Sequence, residues 1–393
     1  MKRLTALAVK GESYLLQTQG RNVLVDGGYS AKTLLPALKK SFPTLARLDV
    51  VVCTHADEDH AQGLVGILGA GELEVGEFWL PGSWAEPAEE IARDPGSFYG
   101  ELVDEVNGGN GDLLEVLSGD DELVDGLLQN LVPESAKENR GRRSALTENL
   151  ARASKTAHAR VLRNARRDLE SASASPRVIQ RSLHLVDTAE RVRKIAESAA
   201  DHGTPVRWFD YGEFVKTRVA RGGEDFLAPI NSVEQPPPPV MHHLKRFVQL
   251  TRVNRECLVF LAPSEAGQMA VLFTGDSPLG DGAGYSRSFL TRPLHPSAHP
   301  LVVTAPHHGS ESNAVAYEHV HGVANPAFWI RTGGASTHPG RTFRMLDPAH
   351  RTCTRCPHRN RPLQQATITD WFGVHTDPEA WITVRSHDCD CVP

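Results

Sequence analysis

Directly after the apolar run LDVVVCT, the stretch Thr54-His55-Ala56-Asp57-Glu58-Asp59-His60 sets two imidazoles among three carboxylates. Imidazole and carboxylate together are donors for a divalent cation: nitrogen suits zinc and iron, and oxygen shifts the preference toward manganese or magnesium. Three further polar clusters end β-type runs: Gly275-Asp276-Ser277 after MAVLFT, His307-His308-Gly309-Ser310 after LVVTAP, and Thr337-His338-Pro339 soon after FWIRTGG. Singly, each has a plain alternative as a solvated acidic loop, a turn, or a loop with incidental histidines. Their shared position at strand ends changes the reading, because layered α/β architectures gather ligand and catalytic groups where strand ends open onto one rim. Two cations need about seven or eight donor atoms, with a carboxylate able to bridge. This set can supply them.

The elements that must carry these residues fall into two β-rich halves. Residues 3–28 read as short strands, LTALAVK, SYLLQTQ and NVLVDGG, with a turn at Gly20-Arg21-Asn22 and an end on Asp26-Gly27-Gly28. A helix with Leu34, Leu35 and Leu38 on one face leads into LDVVVCT. The grammar returns at 256–345 with ECLVFLAP, MAVLFTGDS, PLVVTAPHHGS and FWIRTGG, runs short enough to be fully buried strands. Between the halves, residues 85–205 have helix-forming composition and read as an insertion. Residues 101–130 hold nine acids and no Lys or Arg, and residues 134–201 hold fifteen Lys and Arg against nine acids. Either the acidic half folds against the basic half, or the arginine-rich helices face a phosphate backbone. Gln235 and the prolines at 236–239 form a stiff connector back to the β-rich half.

In that order, DGG, THADEDHAQG, LFTGDS and APHHGS resemble the metallo-β-lactamase fold superfamily, whose signature is His-x-His-x-Asp-His followed by a bridging Asp and a later His. The pattern is most similar to the branch that includes the soluble hydrolase domain of the DNA-uptake channel ComEC, with His-x-Asp-x-Asp-His, Thr-Gly-Asp and Pro-His-His-Gly-Ser motifs. The resemblance spans about 1–84 and 205–345. It implies an αββα sandwich, here interrupted by the helical insertion and followed by a cysteine-containing extension at 346–393. It implies that His55 and Asp57 serve one metal and Asp59 and His60 the other, that Asp276 bridges both, and that His307 completes the set. His308 is implied as second ligand, proton donor or phosphate contact, Asp26 as the carboxylate that orients the loop from beneath, and His338 as a substrate-side histidine. The expected chemistry is a two-metal-activated hydroxide, held by Asp59, with His308 or His338 protonating the leaving group.

The sequence departs from the general signature at Asp57, where zinc hydrolases usually carry a second histidine, and the segment VNRECLVFLAP has no ligand histidine. An oxygen-rich first site favours manganese over a tight zinc pair, zinc remaining open; a site holding one metal or none is the other outcome. The substrate class expected from the Pro-His-His-Gly-Ser branch is a phosphodiester, DNA included. The alternatives are a small-molecule ester, lactone or thioester hydrolase, and a catalytically silent protein that uses residues 85–205 to dock a protein partner.

Bulk properties narrow this further. The chain has 393 residues, 40% hydrophobic and 23% charged, a globular composition with a formal charge of −6. That balance gives no whole-molecule attraction to nucleic acid or anionic lipid. No run approaches the length of a membrane span and the N-terminus lacks a secretory h-region, so the expectation is a cytoplasmic protein with no membrane partner. Four of the six cysteines lie in the last forty-one residues. Cys353, Cys356, Cys389 and Cys391 have reasonable spacing for a structural tetrahedral zinc, against thiols on a frayed tail. Cys53 and Cys257, inside apolar runs, read as small core residues.

Overall fold

The computed structural model describes residues 2–69, 71–108, 111–118, 155–236, 245–264, 268–291, 294, 299–334, 337–355, 363–370 and 382–385. The chain opens with β1 (Arg3–Ala6), the hairpin of β2 (Tyr14–Thr18) and β3 (Arg21–Val25), helix α1 (Ala31–Ser41), β4 (Arg47–Val52), the one-turn α2 (Glu58–Ala61) and β5 (Glu74–Pro81). Gln19 and Gly20, both at positive φ, make the tight hairpin turn that suits the twist of the flanking strands. Helices α3 (Ala85–Arg93), α4 (Pro95–Asn107), α5 (Gly111–Ser118), α6 (Lys155–Glu170) and α7 (Pro176–Asp201) follow. The β-rich half resumes with β6 (Val206–Asp210), α8 (Tyr211–Thr217), β7 (Ala228–Pro229), β8 (Val233–Gln235), α9 (Arg246–Arg255), β9 (Phe260–Ala262) and β10 (Ala270–Phe273). After the small hairpin of β11 (Gly280–Asp281) and β12 (Arg287–Ser288) come β13 (Leu301–Thr304), α10 (Ala314–Val323), β14 (Phe328–Arg331), α11 (Arg341–Met345), β15 (Arg351–Cys353), β16 (Ala366–Asp370) and β17 (Ile382–Arg385).

Two sheets stack face to face. One has the order β17-β16-β1-β2-β3-β4-β5-β6-β8 and the other β15-β14-β13-β10-β9-β7. Alternation along each strand decides which layer a side chain enters. Tyr14, Leu16, Val23 and Val25 meet Val271, Phe273, Val302 and Ile330 between the sheets. Leu15 and Leu24 face the opposite way, onto Leu34 and Leu38 of α1 and Val192 and Ile195 of α7. On the far side Leu272, Val303 and Trp329 pack on Ala316, Tyr317 and Val320 of α10 and Phe343 of α11. The result is the αββα layering expected. Strands β3 to β6 run parallel, as do β10, β13, β14 and β15, so their carboxyl ends reach the same rims.

Beyond residue 345, where an extension was expected, the described strands β15, β16 and β17 belong to the two sheets. β15 continues the parallel set beside β14, and β16 pairs antiparallel with β1, joined by the buried Lys2 N–H that donates to Asp370 Oδ1 at 2.5 Å. Of the four tail cysteines, Cys353 closes β15, and Cys356, Cys389 and Cys391 lie outside the described residues. Cys53 and Cys257 are buried.

The inserted helices form their own core, with Phe98, Tyr99 and Leu102 of α4 against Ala165 and Leu169 of α6 and Val178, Leu185 and Ala189 of α7. Among the described residues the two halves thus meet chiefly through apolar side chains. Carboxylates of α3 and α4 turn instead to α9, where Glu105 of α4 accepts from the N–H groups of Arg246 and Phe247 and caps that helix, and Glu101 of α4 and Glu90 of α3 pair with the Arg246 guanidinium. Arg166 and Arg193 of the basic half pair within it, with Asp187, Glu190 and Glu197. Residues 119–154 of the insertion lie outside the described residues. Helix α7 spans about 39 Å at 1.5 Å per residue and serves both cores. Its first half belongs to the insertion and its second half to the helical layer over the first sheet. Among the described residues no helix is long and apolar enough to cross a membrane.

Candidate metal centre

The carboxyl ends of β3, β4, β10, β13 and β14 converge on one polar cluster. Asp26, one residue past β3, is fully buried and organises it from below. Its Oδ1 accepts from Thr54 N at 2.8 Å, and its Oδ2 accepts from Thr54 Oγ1 at 2.7 Å and faces His60 Nδ1 at 2.8 Å. With Nδ1 so engaged, His60 presents Nε2 to the cluster. His308 is turned in the same sense by the Thr332 carbonyl, 3.1 Å from its Nδ1. The loop that carries it is strapped by Arg331, which donates to the carbonyls of His308, Gly333 and Arg355. Asp26, His307 and His308 all have positive φ, a costly conformation for such residues that surrounding structure must enforce.

Two groups of donors result, and Asp276 belongs to both. The inner group surrounds His60 Nε2, which lies 3.2 Å from Asp276 Oδ1, 3.3 Å from His308 Nε2 and 3.9 Å from Asp59 Oδ1; His308 Nε2 is in turn 2.8 Å from Asp59 Oδ2. The outer group sets His55 Nε2 at 3.5 Å from Asp276 Oδ2 and 3.7 Å from Asp57 Oδ2. His307 Nε2 is 3.6 Å from the same Asp276 oxygen. Donors held at about 2.0–2.2 Å by one cation sit roughly 3.2–3.6 Å apart in a tetrahedron, which is the separation of Asp276 from His60, His55 and His307 and of His60 from His308. Four atoms of the cluster are buried with no hydrogen-bond partner: His55 Nε2, Asp57 Oδ1, Asp276 Oδ1 and Glu12 Oε2. Buried polar atoms rarely stay unsatisfied in proteins. A pair of divalent cations fits this donor set.

The electrostatics agree. Burial opposes charge on His60, but Asp276, Asp26 and Asp59 outweigh it and hold its pKa well above the ordinary value. His308 is raised in the same way, against burial, by Asp276 and Asp59. Conversely Asp276, despite burial, is held well below the carboxylate range by His60, His307 and His308. The cluster is a trap for positive charge. His338 is different: burial first, then His307, His308 and Arg331, push its pKa down to about 4, so its ring is neutral near pH 7. Its ring stacks on His308 at 6.2 Å and meets His307 edge-on at 5.7 Å.

Residues 8–127 match the model of the metallo-beta-lactamase superfamily. No curated protein matches the chain. The matched segment holds Asp26 and the His55–His60 loop, whereas Asp276, His307 and His308 lie beyond it. The metallo-beta-lactamase αββα sandwich is the fold of this protein, and its cluster of His, Asp and Glu side chains is able to hold metal ions.

The sequence reading had His307 complete the set, with His308 as second ligand, proton donor or phosphate contact; here His308 joins His60 and Asp276 in the inner group, and His307 stands on the outer side with its Nδ1 3.4 Å from Asn313 Oδ1. Other residues at the centre went unread in the sequence. Glu12, at the turn between β1 and β2, reaches the same group, with Oε2 3.6 Å from His308 Nδ1. Burial, partly offset by His60 and His308, pushes its carboxyl up to about 7. Its only sequence signal is the preceding Gly11, whose φ of +82° lets the turn press on the metal loop; a Cβ there would lie 2.2 Å from the Asp59 carbonyl. Asn313 Nδ2 donates to the Asp276 carbonyl at 2.8 Å and fixes that loop. No local pattern announces His184 and Arg191, which α7 brings to the outer edge.

Proposed function

We propose that this protein is a metal-dependent phosphodiesterase, with nucleotide-type substrates, DNA among them, as its class. The observation that supports the reading is a cleft that opens on Asp276 and is lined by Tyr211, Tyr285, Arg252, Arg255, Glu256 and Cys257. Guanidinium groups match phosphate oxygens geometrically, and tyrosine rings offer flat faces to a base. Arg252 Nε donates to Glu256 Oε1 at 2.5 Å, which holds the guanidinium in place beside the cleft. Such a lining favours a phosphodiester over a lactone or thioester, which needs no pair of arginines.

Two divalent cations, manganese or zinc, held by Asp59, His60, Asp276 and His308 on one side and His55, Asp57, Asp276 and His307 on the other, would polarise a phosphoryl oxygen and lower the pKa of water. The chain's own residues do the rest. Asp59 is kept ionised by His60 and His308, and accepts hydrogen bonds at neutral pH. His338, neutral near pH 7, donates an N–H to a substrate oxygen and accepts a proton from the solvent side. The insertion closes the opposite edge through α7.

The test is hydrolysis of bis(p-nitrophenyl) phosphate and of end-labelled single-stranded and duplex DNA, each with manganese, zinc or chelator. Asp276→Ala, which removes the carboxylate common to both groups, is expected to lose both ions by elemental analysis and all turnover. Full activity in Asp276→Ala, or hydrolysis of a thioester or lactone but no phosphodiester by the wild type, would refute the proposal.

A further inference from the structure

The insertion reaches the metal loop directly. His184, Thr188 and Arg191 occur at spacings of four and three along α7 and so share one face of the helix. Arg191 Nε donates to the carbonyl of Ala56 at 2.9 Å, between the two outer ligands His55 and Asp57. Arg191 Nη2 donates to Thr188 Oγ1 at 3.3 Å, and Thr188 Oγ1 donates to Asn254 Oδ1 of α9 at 3.0 Å, so the buried guanidinium is braced from two helices. About two turns before Arg191, His184 Nε2 stands 4.0 Å from Asp57 Oδ1. Asp57 thus has two differently placed oxygens. Oδ2 faces His55 across the outer ligand group, and Oδ1 is a buried acceptor with no hydrogen-bond partner, turned toward His184.

We infer that inserted helix α7 is a working part of the outer metal position, in which His184 donates an N–H to Asp57 Oδ1 and so aims Asp57 Oδ2 at the divalent cation shared with His55 and Asp276. The inference rests on the metal-centre reading above. His184 is a positioning residue, since it acts through Asp57. Its side chain is 41% exposed, so a rotamer adjustment closes 4.0 Å to hydrogen-bond distance without moving the helix. The outer group needs such support more than the inner one. Asp57 stands 35% exposed at the edge of the cluster, whereas His60 is locked by the buried Asp26. A carboxylate ligand with one oxygen unanchored samples several orientations; an outer-shell hydrogen bond selects one.

The experiment is calorimetric titration of the chelator-stripped full chain with manganese alone, supported by elemental analysis and by thermal unfolding to establish that each variant is folded. Wild type is expected to take up two ions. His184→Ala should keep the tighter ion unchanged and bind the weaker one about 10–100-fold less tightly, the usual cost of removing an outer-shell partner. His184→Gln, whose amide N–H₂ can reach the same oxygen, should recover most of that loss, which a merely structural role would not. Two ions bound by folded His184→Ala with wild-type affinities would overturn the inference and leave the metal centre standing. A wild type that binds one ion overturns it as well, and a wild type that binds none removes the metal-dependent function too.

Discussion

Replacing Asp26 by Asn changes one atom and leaves the shape of the site intact, yet it should disable half of the metal centre. The carboxylate takes part in three contacts, from Thr54 N, Thr54 Oγ1 and His60 Nδ1, at 2.7–2.8 Å. An Asn side chain has one acceptor oxygen. If that oxygen keeps Thr54 N, the new N–H₂ group faces His60 Nδ1, which must then become an acceptor, and the ring proton moves to Nε2, the atom aimed at Asp276 and His308. A protonated Nε2 cannot ligate. Hydrogen bonds to a charged partner contribute roughly 1.5–3 kcal/mol and neutral ones about 0.5–1.5 kcal/mol. Converting one and reversing two should therefore cost about 2–4 kcal/mol of folding stability. The same flip should weaken the inner ion about 10–100-fold. Urea unfolding of the metal-free protein measures the first quantity and manganese titration the second. Wild-type midpoint and wild-type affinity in Asp26→Asn would refute the claim that this buried carboxylate sets the tautomer of His60.

Two further outcomes follow from packing and charge away from the ligands. Gly63 N donates to the Gly28 carbonyl at 2.7 Å, and a Cβ at Gly63 would stand 1.9 Å from the Gly27 carbonyl oxygen, so Gly63→Ala should lose about 1–3 kcal/mol in urea unfolding and loosen metal binding, because the displaced segment carries Asp26 and His60; an unchanged urea midpoint would contradict this. In the insertion, His158 Nε2 and the Arg193 guanidinium hold Glu190 at 2.7 and 2.8 Å and, against burial, keep its carboxyl well below the ordinary range. A carboxyl depressed in the folded state contributes stability that is complete above its unfolded pKa of about 4.5 and is lost as pH falls below it. Glu190→Gln should thus flatten the urea midpoint between pH 3 and 5 relative to wild type, and parallel acid slopes for the two proteins would count against the ion pair.

Much of the frame could be read from local pattern. Apolar runs such as NVLVD and LDVVVCT alternate or stay apolar over a strand's length, and turn residues bound them, so β3, β4, β10, β13 and β14 and the polar clusters at their ends were legible one by one. His55, Asp57, Asp59, His60, Asp276, His307, His308 and His338 were candidates on those grounds, and Asp26 only through the family resemblance. The tail was harder. β16 and β17 read as an extension because nothing within a window of ten residues says that Ala366–Asp370 pairs with Arg3–Ala6.

Residue types and local order set the strands, the loops between them and the kinds of donor each loop carries, since those depend on periodicity and turn chemistry within a few residues. Tertiary structure alone decided which donors stand close enough to share a cation. It placed His308 beside His60 and left His307 outside, buried Glu12 against the loop, and brought His184 and Arg191 from more than a hundred residues away to the edge of Asp57. The physical reason is that such contacts are fixed by how two sheets and an inserted helix pack, through apolar surfaces far from the site in sequence. A single chain's spacing carries no record of that packing.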